Sequence, residues 1–232
     1  MDRLILFDID GTLTRTQSGH LPFNEAFLKA FGVSGDIRTV IPDGNTDPLI
    51  VEEIFAKNEL KVEITSEHWQ RFADALHDSY ANAVSKGSTQ VRQLPGAAEL
   101  LEVLAQVPGL RQSVVTGNME VIANVKLSAA GLNSYLCRGG YGSDSRHRVE
   151  LTKIAKARCE AAAGRAIRSD HCVIVGDTPK DLEAARKNNM KCVLVGTGRY
   201  PMEELVYLQP EACLTDLTDT IVVVKTLLNV SS

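Results

Sequence analysis

Two aspartates one residue apart follow the first apolar run of the chain. Residues 4–7 are all apolar, and Asp8, Asp10 and Gly11 come within the next four positions. A continuous apolar run is typical of a strand that is buried on both faces of a parallel sheet. Ligands of such sheets bind outside the carboxyl ends of the strands, so the two carboxylates are candidates for cation binding. An acidic turn explains the same residues equally well when they are taken alone.

Two later strand ends carry polar side chains that fit the same chemistry. A strand-like run at 112–115 leads into Thr116 and Asn118, and a run at 172–176 leads into Asp177 and Asp181. A carboxylate can act as a nucleophile, and a second carboxyl group can transfer a proton. Hydroxyl and backbone N–H groups can hold phosphate oxygens, while further acids complete an oxygen shell for Mg²⁺.

Two cations lie between the second and third of these strand ends. Arg148 comes just before a helix predicted at 150–163, and Lys153 lies one turn inside that helix. Either side chain could neutralise a bound phosphate. A solvated helix end explains either residue equally well.

The order of the predicted elements indicates an α/β fold with an inserted domain. Strands alternate with helices after residue 90, which is typical of a Rossmann-like parallel sheet flanked by helices. Residues 15–90 begin with a loop at 15–21 and then show only helical periodicity, with no strand. We therefore predict an α/β core at 1–14 and 91–232, and an all-helical domain at 15–90. A closing helix is predicted at 216–228, although its residues 221–224 alone resemble a strand.

The composition excludes several classes of partner. The chain has 232 residues, 44% of them hydrophobic, and a net charge of −4. It therefore lacks the overall basic field that attracts nucleic acid or anionic membranes. No apolar stretch approaches the roughly 20 residues that cross a bilayer. Five scattered cysteines without a Cys-x-x-Cys pair predict a reducing compartment, and hence a cytoplasmic protein.

Three segments together resemble the motifs of haloacid dehalogenase-like (HAD) hydrolases. The first is FDIDGTL at 7–13, the second is VVTGN at 114–118, and VGDTPKD at 175–181 resembles the fourth motif. They occur in the family's order and at the expected strand ends. The helical insertion resembles the cap of the phosphoglycolate phosphatase and β-phosphoglucomutase branch. Residues 43–47 resemble a loop of those caps, with Asn45 where a basic residue is common.

The resemblance implies catalytic and metal-binding roles for four aspartates. Asp8 would attack phosphorus and become an aspartyl phosphate, while Asp10 would protonate the leaving oxygen and then activate water. Mg²⁺ would bind to Asp8, to the backbone carbonyl of Asp10 and to Asp177, with Asp181 in support. To act as the acid near neutral pH, Asp10 would need a raised pKa.

The resemblance also implies a phosphate-binding set, which departs from the family's usual pattern. Thr116, Gly117 and Asn118 occupy the second motif. The lysine–proline pair that many relatives have as their third motif is absent. Arg148 stands where that lysine is expected and is the first candidate, with Lys153 as the second.

The resemblance makes a Mg²⁺-dependent phosphatase for a small phosphorylated metabolite the first hypothesis. A phosphomutase acting on a sugar phosphate is the alternative, because it needs the same two acids. A non-catalytic binding protein on the same fold is a third hypothesis, which the intact set of Asp8, Asp10, Thr116 and Asp177 disfavours. We expect a monomer or a homodimer. The cap side chains choose the substrate, so the sequence leaves its identity open.

Overall fold

The computed structural model describes residues 2–231. Its strands in that range are β1 (Arg3–Phe7), β2 (Thr14–Gln17), β3 (Gln90–Gln93), β4 (Leu110–Val115), β5 (Cys137–Gly140), β6 (Cys172–Gly176), β7 (Lys191–Val195) and β8 (Ala212–Leu214). Its α-helices are α1 (His20–Phe31), α2 (Asp47–Lys57), α3 (Ser66–Ser85), α4 (Ala97–Ala105), α5 (Glu120–Ala129), α6 (Arg148–Ala163), α7 (Pro179–Lys187), α8 (Met202–Tyr207) and α9 (Thr220–Val230). Short 3₁₀ helices lie at Ile37–Thr39, Asn133–Tyr135 and Ser169–His171.

Six of these strands form one parallel sheet, in the order β5-β4-β1-β6-β7-β8. β1 lies in its interior and is buried on both faces, as its apolar run predicts. Because side chains alternate along a strand, Ile5 and Phe7 pack in one hydrophobic cluster with α4, α5 and α9. Leu4 and Leu6 pack on the other face with α6, α7 and α8. The predicted class, a parallel sheet flanked by helices, is confirmed.

Helices α1 to α3 lie in the segment predicted to be the cap, called the cap below, and pack together in one hydrophobic cluster. Aromatic rings dominate it, and Phe31 contacts both Phe55 and Phe72 with ring centroids 5.1 and 5.5 Å apart. Met119 and Ile122, at the start of the core helix α5, belong to the same cluster. The cap therefore rests on the core helix that follows the second motif.

The loop expected at 15–21 is corrected by the structure, because strand β2 occupies Thr14–Gln17. It pairs antiparallel with β3. In this two-stranded ribbon, β2 leads the chain from the sheet into the cap and β3 leads it back. Each strand has four residues and a polar sequence, TRTQ or QVRQ, so neither shows the apolar alternation that marks a strand. Only the pairing of residues more than seventy positions apart makes them strands.

The predicted closing helix is present at Thr220–Val230, and it begins four residues later than the predicted start at 216. The Asp219 side chain accepts a hydrogen bond from Val222 N–H and caps the helix, while Val223 and Leu227 face the core. Capping and burial outweigh the strand preference of the β-branched residues here. Within the described residues, no helix has the length and apolar character that spanning a membrane requires.

Candidate active site

The sheet order brings the three polar strand ends together. β1 lies between β4 and β6, and Phe7 is in register with Val114 on one side and Val175 on the other. The N–H of Asp8 donates to the carbonyl of Val175 at 2.8 Å, which holds Asp8 at the edge of the sheet. From β1 the chain continues to β4 and β5 on one side of the sheet, and β6, β7 and β8 follow on the other side. A crevice forms where the strand order switches direction in this way.

Asp8 shares a buried cation with Asp181. Arg148, the first residue of α6, places its Nη2 atom 2.9 Å from Asp8 Oδ1 and 2.5 Å from Asp181 Oδ1. The other oxygen of Asp181 accepts hydrogen bonds from the backbone N–H and the hydroxyl of Thr178. Both oxygens of Asp181 are thus engaged by protein donors, which fits a supporting carboxylate.

Asp177 completes an acidic group that suits a divalent cation. Carboxylate oxygens of Asp8, Asp177 and Asp181 lie within 4.8 Å of one another, and all three residues are buried. Burial raises the pKa of Asp177 to about 9, and the charges of Asp8 and Asp181 add to the shift. Burial also raises the pKa of Asp8 to about 6, although the charge of Arg148 opposes it. Close carboxylates with raised pKa values are a donor set that a hard cation such as Mg²⁺ stabilises.

Gly11 allows the turn after β1 to pass close to Asp177. Gly11 has φ = +83°, and a Cβ atom there would lie 2.5 Å from Asp177 Oδ2. Any other residue would be strained and would also collide with this carboxylate. Thr12, the next residue, donates from its hydroxyl to Asp177 Oδ1 at 3.0 Å. The turn after β1 is therefore shaped around the acid that follows β6.

Asp10 belongs to a second cluster, formed by Asp10, Asn118 and Lys126. The Nζ atom of Lys126 lies 2.6 Å from Asp10 Oδ2 and 2.8 Å from Asn118 Oδ1. The amide nitrogen of Asn118 donates to the same Asp10 oxygen at 2.7 Å and to the hydroxyl of Thr116 at 2.8 Å. Burial favours a higher pKa for Asp10, but the charge and hydrogen bond of Lys126 outweigh it and lower that pKa. The sequence predicts a raised pKa for Asp10, and in this arrangement that prediction is wrong, because the pKa is lowered.

The cap loop, residues 43–47, is docked on the loop of the second motif. The N–H of Asp47 donates to Gly117 O at 2.8 Å, and Asp47 Oδ2 accepts from Met119 N–H at 2.7 Å. The hydroxyl of Thr46 donates to Arg146 O, and Lys180 donates to Asn45. Cap and core thus meet through direct hydrogen bonds at the sheet edge.

A cleft of about 750 Å³ lies under the docked cap and reaches the acids. Its core side includes Asp8, Asp10, Thr116 and Asp177. The rest of its lining combines apolar side chains, cations and two further acids, which are Phe23, Ile37, Val40, Ile50, Leu76, Tyr80, Ile122, Arg15, Arg38, Lys126, Arg148, Arg199, Asp43 and Asp47. The cleft has the size of a small-molecule site, and its lining carries charges of both signs.

Comparison with known proteins identifies the family. Residues 5–186 match the sequence profile of the haloacid dehalogenase-like hydrolases. The chain belongs to this family. The match covers most of the chain and includes all three motifs that carried the resemblance, so the family and the hydrolase class predicted from them are confirmed.

Relatives of known name extend along nearly the whole chain. A phosphoglycolate phosphatase of Pectobacterium atrosepticum is 27% identical, with 94% of this chain and 90% of that protein covered. A 5'-nucleotidase of Pseudomonas aeruginosa is 24% identical, with 92% and 91% covered. The solved structure of a hydrolase from Pseudomonas syringae has a TM-score of 0.66 at 22% identity, covering 97% of this chain and 98% of its own. That likeness supports the shared HAD fold.

The structure separates the two predicted phosphate cations. Arg148 lies in the site, between Asp8 and Asp181. Lys153 is instead exposed on α6, where its Nζ atom pairs with Glu150 at 2.7 Å. The other predicted site residues come together at the edge of the sheet. They are Asp8, Asp10, Thr116, Gly117, Asn118, Asp177 and Asp181.

Lys126 is a member of the site that the motifs did not indicate. It lies eight residues beyond the second motif, in a helix that the HAD motifs do not include. A signal was present, however, because Ile122, Lys126 and Leu127 have the spacing of one buried helical stripe. A lysine in such a stripe needs an opposite charge, and Asp10 provides it.

Proposed function

We propose that the protein is a Mg²⁺-dependent phosphatase that hydrolyses a small phosphorylated metabolite through an aspartyl phosphate on Asp8. One observation carries the proposal: the buried carboxylate of Asp8 opens onto the cleft between a cation and a second acid. Arg148 Nη2 is 2.9 Å from Asp8, and Asp10 lines the same cleft. A nucleophile, a phosphate-binding cation and a proton carrier are the groups that two-step phosphoryl transfer uses.

The reaction proceeds in two displacements. A carboxylate oxygen of Asp8 attacks phosphorus, the bond to the leaving oxygen breaks, and Asp10 gives that oxygen a proton. Asp10 must be in its protonated form for this step, although Lys126 lowers its pKa. A water molecule then attacks the phosphorus of the aspartyl phosphate and transfers a proton to Asp10. The bond to Asp8 breaks, which releases inorganic phosphate and restores both acids. Positioning and charge neutralisation provide most of the rate enhancement in such a reaction.

Donors around Asp8 would hold the phosphoryl oxygens. The Thr116 hydroxyl and the backbone N–H groups of the loop at Gly117 lie beside the cleft. The Nε atom of Arg148 is buried and, among the described residues, lacks a hydrogen-bond partner. A buried donor without a partner is costly, and a phosphate oxygen would satisfy it.

The acidic group would hold Mg²⁺. We assign it to Asp8, to the backbone carbonyl of Asp10 and to Asp177, because the oxygens of Asp181 are already engaged. When bound, Mg²⁺ supplies positive charge that neutralises the phosphoryl oxygens. The raised pKa values of Asp8 and Asp177 support this assignment, because a bound cation would offset the repulsion between their charges.

Phosphoglycolate is the first substrate to test, since the 27% identical relative is named a phosphoglycolate phosphatase. The docked cap encloses a cleft with cations on its wall, which suits a small anionic phosphomonoester. We also propose a cytoplasmic location, which the five free cysteines support.

Phosphate release from a panel of phosphomonoesters tests the proposal. The panel includes phosphoglycolate, nucleoside monophosphates and sugar phosphates, each assayed with Mg²⁺, with EDTA and with the Asp8→Asn variant. We expect release that EDTA abolishes and that Asp8→Asn lowers by at least about a thousandfold. Folding of the variant is checked by circular dichroism. Isomerisation of a sugar phosphate without release would indicate the phosphomutase alternative, and inactivity on every substrate would contradict both.

A further inference from the structure

Lys126 is a buried cation that the two steps above do not use. It lies on the buried face of α5 with 6% of its surface exposed. Burial favours the neutral amine, but the charge of Asp10 outweighs it and raises the pKa of Lys126. Burying a lysine this deeply costs folding free energy unless its charge is paired.

The contacts of Lys126 converge on one oxygen of Asp10. Its Nζ atom is 2.6 Å from Asp10 Oδ2, and the amide nitrogen of Asn118 is 2.7 Å from the same oxygen. Lys126 also holds Asn118 by donating to its Oδ1 at 2.8 Å, which orients the amide toward Asp10. On the other carboxylate oxygen, Thr16 of the β2–β3 ribbon donates at 3.4 Å. The carboxylate is thus held on both sides, although 40% of it remains exposed to the cleft.

The cap also contacts the same ammonium group. The ring of Tyr80, on α3, lies with its centroid 5.8 Å from Lys126 Nζ, within the range of a cation–π contact. The hydroxyl of Tyr80 donates to Gly19 O at 2.9 Å, beside the ribbon that joins cap and core. Lys126 therefore contacts a cap aromatic and the predicted acid at once.

We infer that Lys126 is a positioning residue that orients the carboxylate of Asp10 toward the leaving oxygen. The inference rests on the proposed function, in which Asp10 carries the proton. Without the ammonium group, the side chain of Asp10 keeps, among the described residues, the donors of Asn118 and Thr16, and Asn118 loses the contact that orients its amide. Proton transfer depends on this geometry because donor and acceptor must be within hydrogen-bond distance.

Two other roles make different predictions. A phosphate-binding lysine would contact the nucleophile, but it is Arg148 that lies 2.9 Å from Asp8. A purely structural ion pair would affect folding and leave the chemistry of the leaving group unchanged. A comparison of substrates with different leaving groups therefore distinguishes the three roles.

The test compares Lys126→Met and Lys126→Arg with the wild type and with Asp10→Asn. Lys156→Met is the matched control, since Lys156 pairs with Glu160 at 2.6 Å on α6, outside the cleft. Each protein is assayed with the best alkyl phosphate of the panel and with 4-nitrophenyl phosphate, whose leaving group needs little protonation. The inhibition constant of inorganic phosphate is measured for each, and melting temperatures verify folding.

For Lys126→Met we expect kcat/KM to fall by about 10- to 100-fold with the alkyl phosphate and by less than about threefold with 4-nitrophenyl phosphate. Asp10→Asn should show the same selectivity, and Lys126→Arg should recover part of the loss. The inhibition constant of phosphate should stay within about twofold of the wild type, and Lys156→Met should match the wild type throughout.

Equal losses with both leaving groups, or weaker inhibition by phosphate, would overturn the positioning role and assign Lys126 to phosphate binding. Full activity of a folded Lys126→Met variant would also overturn it and indicate a structural ion pair. An inactive wild-type protein would instead contradict the proposed function, and this inference with it. The assay of the wild-type protein therefore distinguishes failure of the proposed function from failure of the positioning role of Lys126.

Discussion

At the scale of single residues, Arg148 shows why the third motif of this chain need not contain a lysine. One guanidinium nitrogen contacts carboxylates on two different elements, Asp8 after β1 and Asp181 in α7, and also donates to Val115 O at 3.1 Å. These contacts use Nη2 alone, and an arginine keeps further donor nitrogens in the same plane, whereas a lysine presents a single point charge. Arg148 thus pairs with Asp8, while its Nε atom, which lacks a partner among the described residues, stays available for the phosphate of the proposed reaction.

We predict that Arg148→Met lowers kcat/KM by about 10²- to 10³-fold, because it removes a charge that neutralises the transferred phosphoryl group. Lys153→Met, on the exposed side of the same helix, should stay within about twofold of the wild type. Steady-state kinetics on the best substrate of the panel measures both. The opposite ranking of the two variants would show that the wrong cation has been assigned to phosphate.

At the scale of elements, the loop between β4 and α5 connects chemistry to the cap. Gly117 has room for no side chain, since a Cβ atom there would lie 1.9 Å from the carbonyl oxygen of Asn45 in the cap loop. Nearby, the backbone N–H of Met119 in the core donates a hydrogen bond to the side chain of Asp47 in the cap loop. The loop that carries Thr116 is therefore also the surface on which the cap loop docks.

Gly117→Ala should separate the cap loop from the core and lower kcat/KM by about 100-fold, because small displacements of positioned groups cost that much. Gly196→Ala is the control, since its new methyl group would meet only the flexible end of Met202 within 3 Å. Kinetics of both variants, with melting temperatures to verify folding, provide the measurement. Wild-type kcat/KM in a folded Gly117→Ala protein would rule out the importance of this contact.

At the scale of the whole molecule, folding brings together carboxylates that strands β1 and β6 and helix α7 contribute separately. Burial and mutual repulsion raise the pKa of Asp177 to about 9 and that of Asp8 to about 6. A carboxyl whose pKa is raised by folding binds its proton more tightly in the native state. Without metal, stability is therefore lost as the pH rises from near 4, the ordinary pKa, toward 9.

Binding of Mg²⁺ should reverse this loss, because the cation replaces the protons. We predict an apparent Kd for Mg²⁺ that falls about tenfold per pH unit between pH 6 and 8, in step with one proton released per ion. The rise in Tm caused by Mg²⁺ should accordingly grow over the same range. Calorimetric titration in buffers of different ionisation enthalpy measures both affinity and proton release. An affinity independent of pH would contradict the raised pKa values.

The sequence by itself determined the features that depend on neighbouring residues. Apolar runs followed by acids marked β1 and β6, the three motifs indicated the family, and helical periodicity predicted the cap. Asp8, Thr116 and Asp177 could be placed at one sheet edge because parallel strands present their carboxyl ends together. Such signals are local, so a few adjacent side chains are enough to show them.

Only the tertiary structure decided contacts between residues far apart in the chain. Lys126 and Asp10 are 116 positions apart, and nothing near either residue indicates the other. Which of Arg148 and Lys153 lies beside the acids depended on which face of α6 meets the sheet, and the β2–β3 ribbon exists only through its pairing. These features arise when folding brings charges and backbone groups into a low-dielectric interior, where each must find a partner.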